Sequence, residues 1–170
     1  MATERTRLMW ILGITGAALL LLGLLRVVVW QPYVVSSSSM EPTLMHGDRI
    51  LVNRLVYRYS GPERGDIVVF AYPKDPSRTF VKRVIAVEGE SVELRGNQVF
   101  IDGQLVQEPY LKEGDYPPFG PTTVPEDKVF VLGDNRGESE DSREWGLLPQ
   151  SSLIGKAWLI YNPLSRVNLL

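Results

Sequence analysis

Thr79-Phe80-Val81-Lys82-Arg83-Val84-Ile85-Ala86-Val87 is the stretch on which the fold turns. β-Branched and aromatic residues dominate it, and its composition reads as a strand. Side chains on a strand alternate between two faces, so Lys82 shares its row with Phe80, Val84 and Ala86. An ammonium group in an apolar row loses hydration, which lowers its pKa from ~10.4 and favours the neutral amine. A lysine at a sheet margin can instead snorkel to water, so the row alone leaves two readings of Lys82 open.

Similar segments flank this one at Arg49–Tyr57, Asp66–Tyr72, Ser91–Leu94, Gln98–Ile101, Lys128–Leu132 and Leu153–Tyr161, each bounded by Gly, Pro, Asn or Asp. The pattern predicts a mainly β domain. Gly96-Asn97 and Asp102-Gly103 fall between alternating segments as hairpin turns, which makes Ser91–Val106 a meander. Between Gln107 and Asp127 stand Pro109, Pro117, Pro118, Pro121 and Pro125 with Gly114 and Gly120. Prolines cannot donate to a ladder, so residues 107–127 are expected to form an extended surface loop.

The N-terminal part is different in kind. From Leu8 to Leu25 the chain carries no charge, and with Val27, Val28 and Val29 beyond Arg26 it can cross a hydrocarbon core of about 30 Å. Trp10 near its start and Trp30 and Tyr33 at its end match two interfacial belts. The expectation is a transmembrane signal-anchor helix over 8–30, with residues 1–7 cytoplasmic and 31–170 an extracytoplasmic domain. Arg5 and Arg7 set that orientation by the positive-inside rule. A cleavable leader is the rival, but the apolar stretch exceeds its usual length of roughly 7–15 residues.

Composition removes several function classes. A formal net charge of -2 without a basic stripe gives nucleic acid no partner surface. With no cysteine and one histidine, His46, the chain has neither a thiolate nucleophile nor a zinc ligand set. What remains is hydroxyl chemistry. The serine run Ser36 to Ser39, directly after the apolar segment, is followed by Met40-Glu41-Pro42-Thr43-Leu44. A serine run alone is ordinarily a solvated linker, and a serine nucleophile needs a base. The options are His46, which would need an orienting carboxylate, and a lysine. Lys82 is set apart by its strand; Lys74, Lys112, Lys128 and Lys156 lie in or beside loops or polar surroundings.

Five boxes now stand in order: Ser37-Ser38-Ser39-Met40-Glu41-Pro42-Thr43-Leu44 with Gly47-Asp48; Arg64-Gly65-Asp66-Ile67-Val68-Val69-Phe70; Lys82-Arg83-Val84; Gly133-Asp134-Asn135-Arg136; and Ser139-Glu140-Asp141-Ser142-Arg143. Together they resemble the motif boxes of bacterial type I signal peptidases (leader peptidases, peptidase family S26). The resemblance implies a transmembrane helix followed by an antiparallel β-sheet catalytic domain of the signal peptidase and LexA-like type. It implies a serine endopeptidase of the bacterial cell membrane that removes N-terminal signal peptides from preproteins. Ser39 is then the nucleophile and Lys82 the base. Ser37 joins the Ser39 N–H in the oxyanion hole, and Ser139 orients the lysine. Asp134 with Arg83, and Asp141 with Arg143, are supporting ion pairs.

The resemblance also implies cleavage after a small-x-small site such as Ala-x-Ala. Val35, Met40, Leu44, Phe80 and Val81 would line the first substrate pocket, and Tyr33 with Val81 the second. The substrate would lie extended beside Phe80–Lys82 as an added strand. No metal or cofactor is implied, and the partners are secretory preproteins and the lipid bilayer, with the enzyme itself monomeric. Two departures stand out: Ser36 replaces a common proline, and Gly137-Glu138 replaces the usual acidic-and-amide pair. The alternatives are a soluble self-cleaving serine–lysine repressor, which the anchor argues against, and a membrane-anchored β adaptor in which Ser39 and Lys82 have no role.

Overall fold

A computed structural model describes residues 9–17, 23, 29–111 and 116–170. Among the described residues twelve strands run in chain order: β1 Trp30–Val34, β2 Arg49–Asn53, β3 Ile67–Tyr72, β4 Asp75–Ala86, β5 Ser91–Arg95, β6 Gln98–Ile101, β7 Gln104–Leu105, β8 Phe119–Thr123, β9 Lys128–Leu132, β10 Leu148–Pro149, β11 Leu153–Asn162 and β12 Asn168–Leu169. The larger sheet has the order β1-β2-β11-β3-β4-β9-β10, with β12 paired to β11, and the smaller has the order β7-β6-β5-β8. Every pairing is antiparallel.

β3 shows why the larger sheet holds. Ile67 and Val69 enter one apolar cluster with Val35, Met40, Leu44, Ile50 and Val52, while Val68 and Phe70 enter another with Val84, Val129, Val131 and Leu148. A central strand covered on both faces reads as an unbroken apolar run. A third cluster, containing Val92, Leu94, Val99, Ile101, Phe130 and Leu132, joins the smaller sheet to the end of β4. The β5–β6–β7 meander turns at Gly96-Asn97 and at Asp102-Gly103, where φ is +51° and +77°.

Four sequence expectations need correction. The strand expected over Arg49–Tyr57 stops at Asn53, and Val56–Arg58 forms a 3-10 turn. Residues 107–127 are not all loop, because β8 forms there and pairs with β5. Pro121 is tolerated because β8 is the outer strand of its sheet, where one side needs no donor. Trp30, expected to end the membrane span, pairs with Asn53 in β1. The row Lys82, Val84, Ala86 is broken by an irregularity between Val84 and Ala86, which sends Ala86 to a different cluster.

Residues 9–17 are helical and exposed. Among the described residues no helix is long and apolar enough to cross a membrane. Residues 8, 18–22 and 24–28 of the segment 8–30, and all of 1–7, lie outside the described residues.

Candidate active site

The serine run lies in the loop between β1 and β2. Val35 N–H donates to Asp48 O (2.9 Å) and Gly47 N–H to Val35 O (2.8 Å), which closes the loop at its base. Inside it Leu44 N–H donates to Met40 O (2.9 Å), a single turn whose Met40 and Leu44 side chains are both 0% exposed. Sinking these two side chains into the core fixes the backbone beside them. Ser39 is thereby held at 6% exposure facing β4.

Lys82 Nζ lies 2.7 Å from Ser39 Oγ and 3.0 Å from Val81 O. The lysine is 3% exposed and has no ion-pair partner among the described residues. Burial lowers its pKa to about 8, against the opposing pull of Asp141, Glu140 and Asp134. Ser37 Oγ stands 3.2 Å from Ser39 Oγ. His46, in contrast, is exposed in the Met45–Asp48 turn next to the base of the loop.

Arg83, the next residue along β4, is bonded through Nε to Asp134 Oδ1 (2.9 Å) and through Nη2 to Asp134 Oδ2 (2.6 Å). Thr43 Oγ1 donates to the same carboxylate (2.5 Å), which ties the serine loop to the pair. Asp141 accepts from Arg143 Nε and Nη2, both at 2.8 Å, and from Gly133 N–H at 3.1 Å. Asn135 N–H donates to Ser39 O (3.0 Å) and its side chain to Ser38 O (3.2 Å). Gly133 permits this approach: a Cβ there would overlap Ser139 Oγ and Ser39 O. Ser139 Oγ is buried beside the serine loop and makes no hydrogen bond among the described residues, so the lysine contacts run to Ser39 and Val81 and not to Ser139.

A cleft of about 610 Å³ opens onto Ser39 and Lys82. Tyr33, Val35, Phe80 and Val81 line it. Met40 and Leu44 do not; they sit in the core behind it, because a one-turn loop with both ends apolar anchors itself by burying them. Sequence reasoning missed Ile50 and Val69 in the cleft wall, which strand alternation places beside Val35 and Val81. It also missed the polar rim of Arg78, Glu138 and Glu140. Tyr72 donates to Glu140, and Arg78 lies over the Phe80 ring at 4.9 Å. The Tyr72-to-Phe80 hairpin held that signal in its aromatic and basic residues.

The family described as signal peptidase, peptidase S26, matches residues 7–162. A probable signal peptidase I-1 of Synechocystis sp. is 43% identical over 156 residues, covering 88% of this chain and 80% of that protein. A signal peptidase I P of Bacillus subtilis subsp. natto is 39% identical over 173 residues, covering 93% and 90%. The crystal structure of a signal peptidase I from Enterococcus faecalis V583 superposes with a TM-score of 0.52 at 36% identity, covering 57% of this chain and 97% of that one. With the family match spanning residues 7–162 and these relatives covering most of the chain, the chain belongs to the S26 family of signal peptidases.

Proposed function

We propose that this chain is a membrane-anchored serine endopeptidase that cuts signal peptides from translocated preproteins after a small-x-small site, with Ser39 as nucleophile and Lys82 as base. The 2.7 Å approach of Lys82 Nζ to Ser39 Oγ, in a pair that is almost wholly buried, carries the reading. With the pKa at about 8, roughly one lysine in ten is neutral at pH 7, and a substrate that covers the cleft dehydrates it further.

Neutral Lys82 takes the Ser39 proton as Oγ attacks the scissile carbonyl carbon. The resulting oxyanion is met by the Ser39 N–H and the Ser37 hydroxyl, donors aimed where charge develops. On collapse the C–N bond breaks and the Lys82 ammonium protonates the leaving amine. A water molecule then gives a proton to Lys82 and attacks the ester carbon, and as the C–O bond breaks the Lys82 ammonium returns that proton to Ser39 Oγ. Every proton stays within these groups, so the mechanism calls on no metal or cofactor.

The substrate lies extended against β4. Residues Thr79–Lys82 pair with β3 on one side, while β9 pairs only from Arg83 onward. The other edge is open to an added strand, with alternate side chains entering the cleft. Walls of Val35, Ile50, Val69 and Val81 admit methyl-sized groups and exclude larger ones by overlap. Ser139 is the residue we assign to orienting the lysine as it moves during proton transfer, since its buried hydroxyl is unpaired. The apolar segment 8–29 is the single-pass anchor, with the N-terminus cytoplasmic, the catalytic domain outside and the enzyme monomeric. Tethering enzyme and preprotein to one bilayer raises their effective concentration.

The test is cleavage of a preprotein carrying an Ala-x-Ala site by the full chain in detergent. Wild type should cut there, and folded Ser39→Ala and Lys82→Ala variants should be inert. Normal cutting by either variant would sink the dyad.

A further inference from the structure

Away from the cleft, a second pocket of about 440 Å³ is formed by the turn after β2 and the segment before β11. Arg54 and Arg58 line it with Gln150 and Ser151, over a floor that includes Leu55, Leu153 and Ile154. No acidic residue lines it, and neither arginine forms an ion pair among the described residues. The buried carboxylate beside it, Asp66, is already taken by Lys156 Nζ at 2.5 Å and by the Tyr57 hydroxyl at 2.9 Å. Two guanidiniums facing an acid-free pocket with an apolar floor suit an anion that carries a hydrocarbon part.

The position of the pocket says which anion. Arg54 N–H donates to Val29 O (2.9 Å), so the arginine is stitched to the residue at which the apolar N-terminal segment ends. The next residue, Trp30, packs its ring 4.9 Å from that of Trp158, which is 43% exposed. Tyr59, next to Arg58, is 85% exposed. Indole and phenol rings beside arginines at the end of an apolar segment belong to the headgroup layer of a bilayer.

We propose that Arg54 and Arg58 bind the phosphate of an anionic phospholipid in the leaflet that the catalytic domain faces, with the glycerol and first methylenes over Leu55, Leu153 and Ile154. The proposal rests on the membrane reading above. The bound lipid would act as a second attachment point, fixing the rotation of the β domain about its anchor and hence the side from which a preprotein approaches the cleft.

The test uses the full chain in a nonionic detergent, with native mass spectrometry reading the lipid retained from equal amounts of phosphatidylglycerol and phosphatidylcholine of the same acyl chains. Wild type should retain phosphatidylglycerol in preference, and an Arg54→Gln/Arg58→Gln double variant should lose that preference by roughly ten-fold or more. An Arg54→Lys/Arg58→Lys variant should keep most of it. Both sites are exposed, so unfolding midpoints and cleavage of a soluble peptide should match wild type. An undiminished preference in the glutamine variant overturns the proposal, and so does binding of inorganic phosphate as tight as that of the lipid. If wild type fails to cut peptide yet keeps its lipid preference, the peptidase reading falls and the lipid site stands. Release of the chain from membranes by alkaline carbonate would show the anchor reading wrong independently.

Discussion

Lys82 and Arg83 are adjacent on β4, both buried, and treated in opposite ways. Arg83 meets a bidentate carboxylate, a carbonyl at Gly65 and the face of Tyr110 at 3.8 Å, so its charge is fully supported. Lys82 meets a serine hydroxyl, one carbonyl and the Phe80 ring at 5.3 Å, with no carboxylate paired to it among the described residues. A carboxylate therefore supports the charge at one residue, while burial without one makes the charge at the next easier to lose. The first arrangement holds the serine loop and the loop after β9 together through Thr43 and Asp134. In the mechanism proposed above, the second yields a base able to work near neutral pH.

The sharpest break in this contrast is to make Lys82 apolar. A Lys82→Met variant should lose peptidase activity by about 10²–10⁴-fold in kcat/KM on a peptide substrate. The same variant should be more stable than wild type at pH 7, by on the order of 3 kcal/mol in denaturant unfolding, because it removes a buried ammonium whose pKa burial has lowered. The sign follows from proton binding. Unfolded Lys82 keeps its proton up to about 10.5 and folded Lys82 only to about 8, so wild type gains stability as pH rises between those values and the advantage of the methionine variant shrinks there.

Breaking the other half gives the opposite result. Asp134→Ala strands the Arg83 guanidinium in the interior and should cost about 3–5 kcal/mol of stability. Met40→Ala should cost about 2–5 kcal/mol through the cavity it leaves, with cleavage-site preference unchanged if Met40 is core and not pocket wall. The pH profile sharpens the assignment: kcat/KM of wild type should rise with pH through an apparent pKa of about 8. Smallest of all, His46→Gln should leave both rate and unfolding midpoint within experimental scatter. A large loss there would move the base from β4 to the loop.

The strand that carries both residues was legible because Phe80 to Ala86 announces itself by composition, and desolvation of Lys82 follows from its neighbours. The hairpin turns were legible because Asp102-Gly103 needs positive φ. β1 and β8 were not. Pro32 and Pro121 argue against strand to any reader of sequence, and only the finding that both strands lie at sheet margins explains why those prolines do no harm. The full burial of Met40 and Leu44 was not legible for a related reason. Apolar residues next to a nucleophile can face substrate or core, and the choice is made by Val52, Ala157 and Ile160, which lie far along the chain. The pairing of Arg83 with Asp134 came from the resemblance; composition alone makes the stretch after Gly133 a solvated loop.

The grip of Arg166 on the serine loop bears on the timing of biosynthesis. Its guanidinium holds Asp48 through Nε at 3.0 Å and reaches Thr43 O at 3.2 Å, across a separation of 118 residues to Asp48. Ser39 is made early, but the clamp on its loop arrives only when Arg166 has been synthesised and has met β2 through the packed β11. A chain in which Arg166 has not yet been made therefore carries Ser39 without this clamp on its loop.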